Sequence, residues 1–158
     1  MDKLIQETIL LPMQSSNIEG SNQTLLTHLQ LMDIFSNTVH LYKKINKQED
    51  VCTSAAGKGI ACPHSISIEI DELTCVLGIS HKGIDYNSPD GHDCLFILLT
   101  LSPVDESTKQ QKFINRFQTL VQNTEICDSL YKSENSNEIL NIISQWEENE
   151  NKRDNLLQ

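Results

Sequence analysis

Between Ser65 and Leu101 the hydrophobic period of the chain is two, and this limits the possible folds more than any other feature of the sequence. Ile66, Ile68 and Ile70 alternate with Ser65, Ser67 and Glu69, and Leu73, Cys75, Leu77 and Ile79 then form a second alternating set. Each set falls on one face of an extended strand. The two runs flank Asp71 and Glu72, so the pattern predicts two strands around that turn. A Pro-Asp-Gly turn in GIDYNSPDGHD is followed by CLFILLTL, a continuous apolar run of strand length. A strand that is apolar on both faces has to be covered on both faces.

The flanking segments provide the covers. After a short apolar strand expected over Thr8 to Met13, Ser21 or Asn22 can cap a helix whose Leu25, Leu26, Leu29 and Met32 form one stripe. A second short helix is expected from Thr38 to Lys47. Beyond Pro103, Asp105 or Ser107 can open a helix with Phe113, Ile114, Phe117, Leu120 and Val121 on one side, and Ile139, Leu140, Ile143 and Trp146 mark a last helix. Helices at both ends and strands in the middle predict a sheet with helices on both faces. The length of 158 residues allows one domain with a core and is too short for two of ordinary size.

Composition narrows the functional classes. A formal charge of −10 argues against a nucleic-acid surface, which needs clustered Lys and Arg, and favours basic protein partners. No apolar run approaches the roughly 20 residues of a membrane-spanning helix. The opening MDKLIQETILLPMQ lacks the pattern of a secretory signal, so the expectation is a soluble, cytoplasmic protein without direct membrane insertion. Five scattered cysteines with no Cys-x-x-Cys pair read as buried free thiols.

His64 is the side chain to explain. It lies in GKGIACPHSISIEI, after a two-glycine loop and a proline and at the start of an alternating strand. Such a histidine can be a packed structural residue, half of a metal site, or a nucleophile at the end of a loop. Cys62-x-His64 and His92-x-Cys94 each put two soft ligands on one side of an extended chain, but zinc motifs usually have wider spacings, so Cys62, His64, His92 and Cys94 are not expected to converge. The absence of Gly-x-Ser-x-Gly discards a serine hydrolase of the nucleophile-elbow type. His28, His40 and His81 are expected to be solvated or capping residues.

The central stretch as a whole goes further. GKGIACPH, two alternating runs, and then HKGIDYNSPDGHDCLFILLTLSP resemble, in order and spacing, the fructose/mannitol type of enzyme IIA of the bacterial phosphotransferase system, including its nitrogen-regulatory branch. The resemblance extends over nearly all of residues 5–147. It implies one α/β domain, residues 1–150, with a mixed central sheet and helices on both faces, followed by a polar C-terminal tail, residues 151–158. It also implies that His64 is the phosphorylated histidine. The donor would be a histidine phosphocarrier protein resembling HPr, and the recipient an enzyme IIB or a set of regulated target proteins. No metal or organic cofactor is needed for transfer between two histidines.

An imidazole nitrogen can attack phosphorus in line if its other nitrogen is fixed and the anionic oxygens meet donors. Gly57, Lys58 and Gly59 could supply a backbone nest and a cation, and Ser65 a hydroxyl. The chain departs from the family at three positions. The arginine that lies sixteen residues before the active histidine is Gln48 here, followed by the expected acid, Glu49; the second histidine falls at Gln110, beside Lys109 and Lys112; and the glycine after the active histidine is Ser65. Lys58, and after it Lys109 or Lys112, is then the expected compensating cation. The ring of His64 is expected at a sheet edge, in a shallow depression bordered by Thr53 to Gly59. The rival expectation is a degenerate IIA-like binding module that keeps the fold without turning phosphate over.

Overall fold

The computed structural model describes residues 1–157. In chain order the elements are β1 (Ile9–Leu10), α1 (Ile18–Leu31), α2 (Thr38–Val51), β2 (Ala55–Gly57), β3 (Ile60–Ala61), β4 (His64–Ile66), β5 (Thr74–Ile84), β6 (Cys94–Ser102), α3 (Ser107–Gln122), α4 (Thr124–Lys132) and α5 (Ser136–Leu156). The strands form one mixed sheet in the order β1-β5-β6-β3-β2, with β4 also pairing β6. β5 runs antiparallel to β6, whereas β3 and β4 are parallel to it.

The apolar run CLFILLTL is the centre of this sheet, as its lack of a polar face requires. Its side chains alternate between two clusters. Phe96 and Leu98 join Cys75, Leu77 and Ile79 of β5 beneath Phe113, Phe117, Leu120 and Ile139 of the C-terminal helices. Ile97, Leu99 and Leu101 join Val76 and the α1–α2 residues Leu25, Leu26, Leu29, Leu41 and Ile45. Phe96 and Phe117 alone, fully buried, each contribute roughly 3 kcal/mol at most by area.

Several expectations are corrected. The runs on either side of Asp71–Glu72 do not pair with each other. β4 ends at Ile66, Ile68 is 94% exposed, and β6 lies between β4 and β5. The reason is that β6 has two apolar faces and two bonding edges to satisfy, and it takes the central place that a simple hairpin would have denied it. Asn17, not Ser21 or Asn22, caps α1 by accepting from the Gly20 amide. Ser21 and Asn22 are buried within the helix, where both accept from the Tyr86 hydroxyl, at 2.8 and 3.1 Å. The N-terminal strand is only two residues long. α2 continues past Lys47 to Val51 and so takes Gln48 and Glu49 into its last turns. At the C-terminus α5 runs on to Leu156, and residues 151–157 are exposed. No helix among the described residues is long and apolar enough to cross a membrane.

Candidate functional site

β3 and β4 lie along the same edge of β6 and are separated by Cys62 and Pro63. This break in the ladder shapes the site. Pro63 has no N–H to donate, while its carbonyl accepts from the Thr100 amide. The Cys62 carbonyl meets the Nδ1 of His64 at 3.0 Å. A carbonyl can only accept, so Nδ1 carries the proton and Nε2 is left with a lone pair. The ring itself is exposed and stands in an open depression of about 460 Å³ whose walls include Lys47, Gln48, Glu49, Val51, Thr53, Ser54 and Pro63.

Helix α2 brings the depression its side chains. Lys44 Nζ donates to the Ile66 carbonyl of β4, which ties the helix to the strand. Lys44, Lys47, Gln48 and Val51 follow at i, i+3, i+4 and i+7, one face of the helix. Glu49 accepts from the Ser54 amide at 2.9 Å. Burial pushes its carboxyl above the ordinary carboxylate range, and the Ser54 amide, the adjacent Ser54 hydroxyl and nearby His64 oppose that shift. Ser54 Oγ is buried beside that carboxylate, and among the described residues it is the one buried side-chain polar atom that makes no hydrogen bond of full geometry.

Gln110 lies beneath β4 and is buried. Its Nε2 faces the Ser65 carbonyl at 3.2 Å and the Thr100 carbonyl and hydroxyl at 3.1 Å, while its Oε1 accepts from Ser102 at 3.1 Å. Both amide protons are therefore used within the protein. Ser65 is buried on the opposite side of the strand from His64, and its hydroxyl turns to the Ile66 carbonyl, so it does not face the depression.

The glycine loop does not reach the site. Gly57, at the end of β2, and Lys58 and Gly59, in the turn to β3, all have positive φ. Gly59 pairs at Leu95, whereas His64 registers on Thr100, ~17 Å further along β6. The Lys58 amide donates to the Asp90 carboxylate at 2.7 Å, so the turn anchors a neighbouring loop. That bond, with those from Ser88 and His92, draws the Asp90 carboxyl down to about 2. Of the other cations expected near the ring, Lys109 pairs with Glu106, and Lys112 lines a separate groove with Lys3 and Phe113. Thr53 and Ser54 are the part of the expected loop that does border the depression.

Cys62 and Cys94, weighed in the sequence as soft ligands and not expected to converge, lie apart. Cys62 packs in the cluster under α3–α5 and Cys94 in the cluster under α1–α2, on opposite faces of the sheet. Burial pushes both thiols up to about 12. His28 and His81 each donate a ring N–H to a backbone carbonyl, of Glu7 and Tyr131, while His40 is exposed on α2.

Sequence reasoning missed the Cys62 carbonyl and Lys47, and it placed Ser54 only as part of the bordering loop, without its side chain. A carbonyl has no sequence signature. Lys47 was legible in the i, i+3, i+4 spacing once the helix is carried past it, and the Ser54 side chain only through the fold.

The arrangement defines a class: a mixed-sheet α/β domain that presents one tautomer-fixed histidine from a short edge strand. The chain belongs to the family described as phosphoenolpyruvate-dependent sugar phosphotransferase system, EIIA 2, whose profile matches residues 4–146. It is 25% identical over 142 residues to the PTS system fructose-specific EIIABC component of Bacillus subtilis, a match that covers 90% of this chain and 22% of that protein. The chain thus spans about a fifth of that relative's length. Nitrogen regulatory protein IIA-Ntr from Neisseria meningitidis has a similar structure, with TM-score 0.82 and 16% identity over 89% of this chain and 96% of that one. IIAMTL of Escherichia coli, in its complex with phosphorylated IIBMTL, gives TM-score 0.78 and 13% identity over 90% of this chain and 98% of the other.

Proposed function

We propose that the protein is a phosphoryl carrier, which accepts a phosphoryl group on Nε2 of His64 from a histidine phosphocarrier protein resembling HPr. The group then passes to an enzyme IIB, or its presence regulates other proteins. The observation that carries this reading is the 3.0 Å bond from Nδ1 to the Cys62 carbonyl, which leaves the lone pair on Nε2 of an exposed residue. In the transfer, the Nε2–P bond forms as the donor's N–P bond breaks, and the electron pair of the broken bond returns to the donor ring. Each ring keeps its own proton, and the phosphorylated imidazole of His64 holds its positive charge against the Cys62 carbonyl and Glu49. No further reactant is required. Family membership and a relative solved with phosphorylated IIBMTL support a partner of that kind.

A second reading, a IIA-like binding module that does not turn phosphate over, is favoured by two features. The family's arginine position is Gln48, and the amide of Gln110 is committed to Ser65 and Thr100. One experiment separates the two. The protein is incubated with phosphoenolpyruvate, enzyme I and the phosphocarrier, and its intact mass is read before and after acid treatment. An acid-labile gain of one phosphoryl group, lost in His64→Ala, is expected. Its absence under conditions that phosphorylate a control IIA selects the binding module.

A further inference from the structure

We propose that Glu49 and Thr53 are positioning residues for His64, acting through the backbone of Ser54 and Cys62; the inference rests on the carrier reading above. Three bonds in series lead from the carboxylate to the ring. Glu49 accepts from the Ser54 amide at 2.9 Å, the Ser54 carbonyl accepts from the Cys62 amide at 3.0 Å, and the Cys62 carbonyl accepts from Nδ1 of His64 at 3.0 Å. The Ser54 hydroxyl lies against the same carboxylate, so Glu49 grips this residue by both its amide and its side chain. Thr53 holds the other side. Its hydroxyl donates to the Tyr86 carbonyl and accepts from the Ala55 amide at 3.1 Å. That amide belongs to the same peptide unit as the carbonyl that receives Cys62, so the unit is held at both ends.

Cys62 needs such an anchor because of where it lies. It falls between β3 and β4, and the peptide that joins it to Pro63 has no N–H. The carbonyl facing the ring therefore has no donor in its own peptide to fix it. On one side the Pro63 carbonyl is bonded to the Thr100 amide of β6 at 3.1 Å; on the other, the Cys62 amide depends on Ser54, which lies in the connection between α2 and β2. The bond at one ring nitrogen decides which nitrogen keeps the proton. If the Cys62 carbonyl turns away, the proton is free to move to Nε2, where it occupies the lone pair that has to attack phosphorus. A shift of about 1 Å at a reacting group can cost about a hundred-fold in rate. Bonds in series also polarise one another, and the one that ends on a carboxylate is the strongest kind in the run.

The test uses two measurements on the full chain. Phosphorylation by phosphoramidate, a small donor that needs no docking partner, is followed by intact mass. The His64 tautomer is read from ring nitrogen chemical shifts well above the ordinary histidine range of pH, with the His64 signals identified by their loss in His64→Ala. Glu49→Met keeps the side-chain length but removes the acceptor, and is expected to slow the reaction about ten-fold and to turn a single Nδ1–H form into a mixture. Glu49→Gln keeps an acceptor oxygen for the Ser54 amide and should stay within about three-fold, with the parent tautomer. Thr53→Val, which keeps the shape of the side chain, should slow the reaction about five-fold, and Thr53→Ser should restore it. If Glu49→Met fails to fold, Thr53→Val decides. If the folded variants melt lower but keep the parent rate and tautomer, the contacts are structural only, and this inference is overturned while the carrier reading stands. If the parent fails to react where a control IIA does, both are overturned.

Discussion

Replacing Gln110 tests what holds the strand under His64 in place. The side chain is buried, its two amide protons serve the Ser65 and Thr100 acceptors, and its oxygen takes the Ser102 hydroxyl. That amounts to three effective hydrogen bonds, each worth about 1 kcal/mol net, in a place where the abandoned partners have no water to turn to. Gln110→Met keeps the buried methylenes and removes the bonds, and is expected to cost about 3 kcal/mol. Gln110→Ala also loses apolar burial and leaves a gap, for a total of about 4–5 kcal/mol. In urea, with a slope of about 2 kcal/mol/M, the Met variant's midpoint falls by about 1.5 M with the slope unchanged. A Met variant within 1 kcal/mol of the parent would refute the reasoning, because the amide network would then not be what joins β4, β6 and α3.

Three further outcomes follow from the geometry. The Asp90 carboxyl is drawn down to about 2 against an ordinary 3.8, so its bonds to Lys58, Ser88 and His92 stabilise the fold above pH 3.8 and are lost as pH falls through about 2; the stability difference between parent and Asp90→Asn, measured by denaturant titration, should be constant from pH 5 to 7, shrink below pH 3.8 and disappear only below about pH 2. Gly83 has φ +80°, and an added Cβ would lie 2.7 Å from the Asp93 Cβ, so Gly83→Ala should cost about 2–4 kcal/mol, and a thermal midpoint unchanged from the parent contradicts this. Cys52 is exposed while Cys62, Cys75 and Cys94 are buried with thiols pushed up to about 12; a thiol reagent should label Cys52 rapidly and those three only on unfolding, and prompt labelling of Cys62 at pH 8 would contradict the packing described.

What the sequence made legible follows from how local each cause is. The double-sided run Cys94–Leu101 announced a central strand, because burial on two faces is written into consecutive residues. The helical stripes under Leu25, Leu29, Phe113 and Phe117 were readable for the same reason. Pairing was not: period two at Ile66, Ile68 and Ile70 is a property of one segment, whereas the neighbour of that segment depends on β6, some thirty residues away. Ser21 and Asn22 look like caps because their side chains suit caps, and only the distant Tyr86 hydroxyl explains their burial inside a helix. At the site, His64 stood out through its motif, and Gln48 came with it by spacing. The glycine turn was misplaced because proximity in sequence was taken for proximity in space, while an extended strand carries Lys58 away from the ring at ~3.3 Å per residue.

The short register of β4 gives the domain two scales of cooperativity. His64 rides on a strand joined to β6 by three paired positions beyond the end of β3, with Gln110 beneath it. Unzipping that segment disrupts neither apolar cluster, since Ser65 and Ile66 belong to neither, whereas separating β5 from β6 tears both. The free energy of opening at β4 is accordingly a fraction of the global value, and its amides exchange with solvent through local fluctuation while those of β6 wait for complete unfolding. The His64 ring is thus mounted on a three-residue edge strand whose opening, opposed by the Gln110 bonds, leaves both apolar clusters closed.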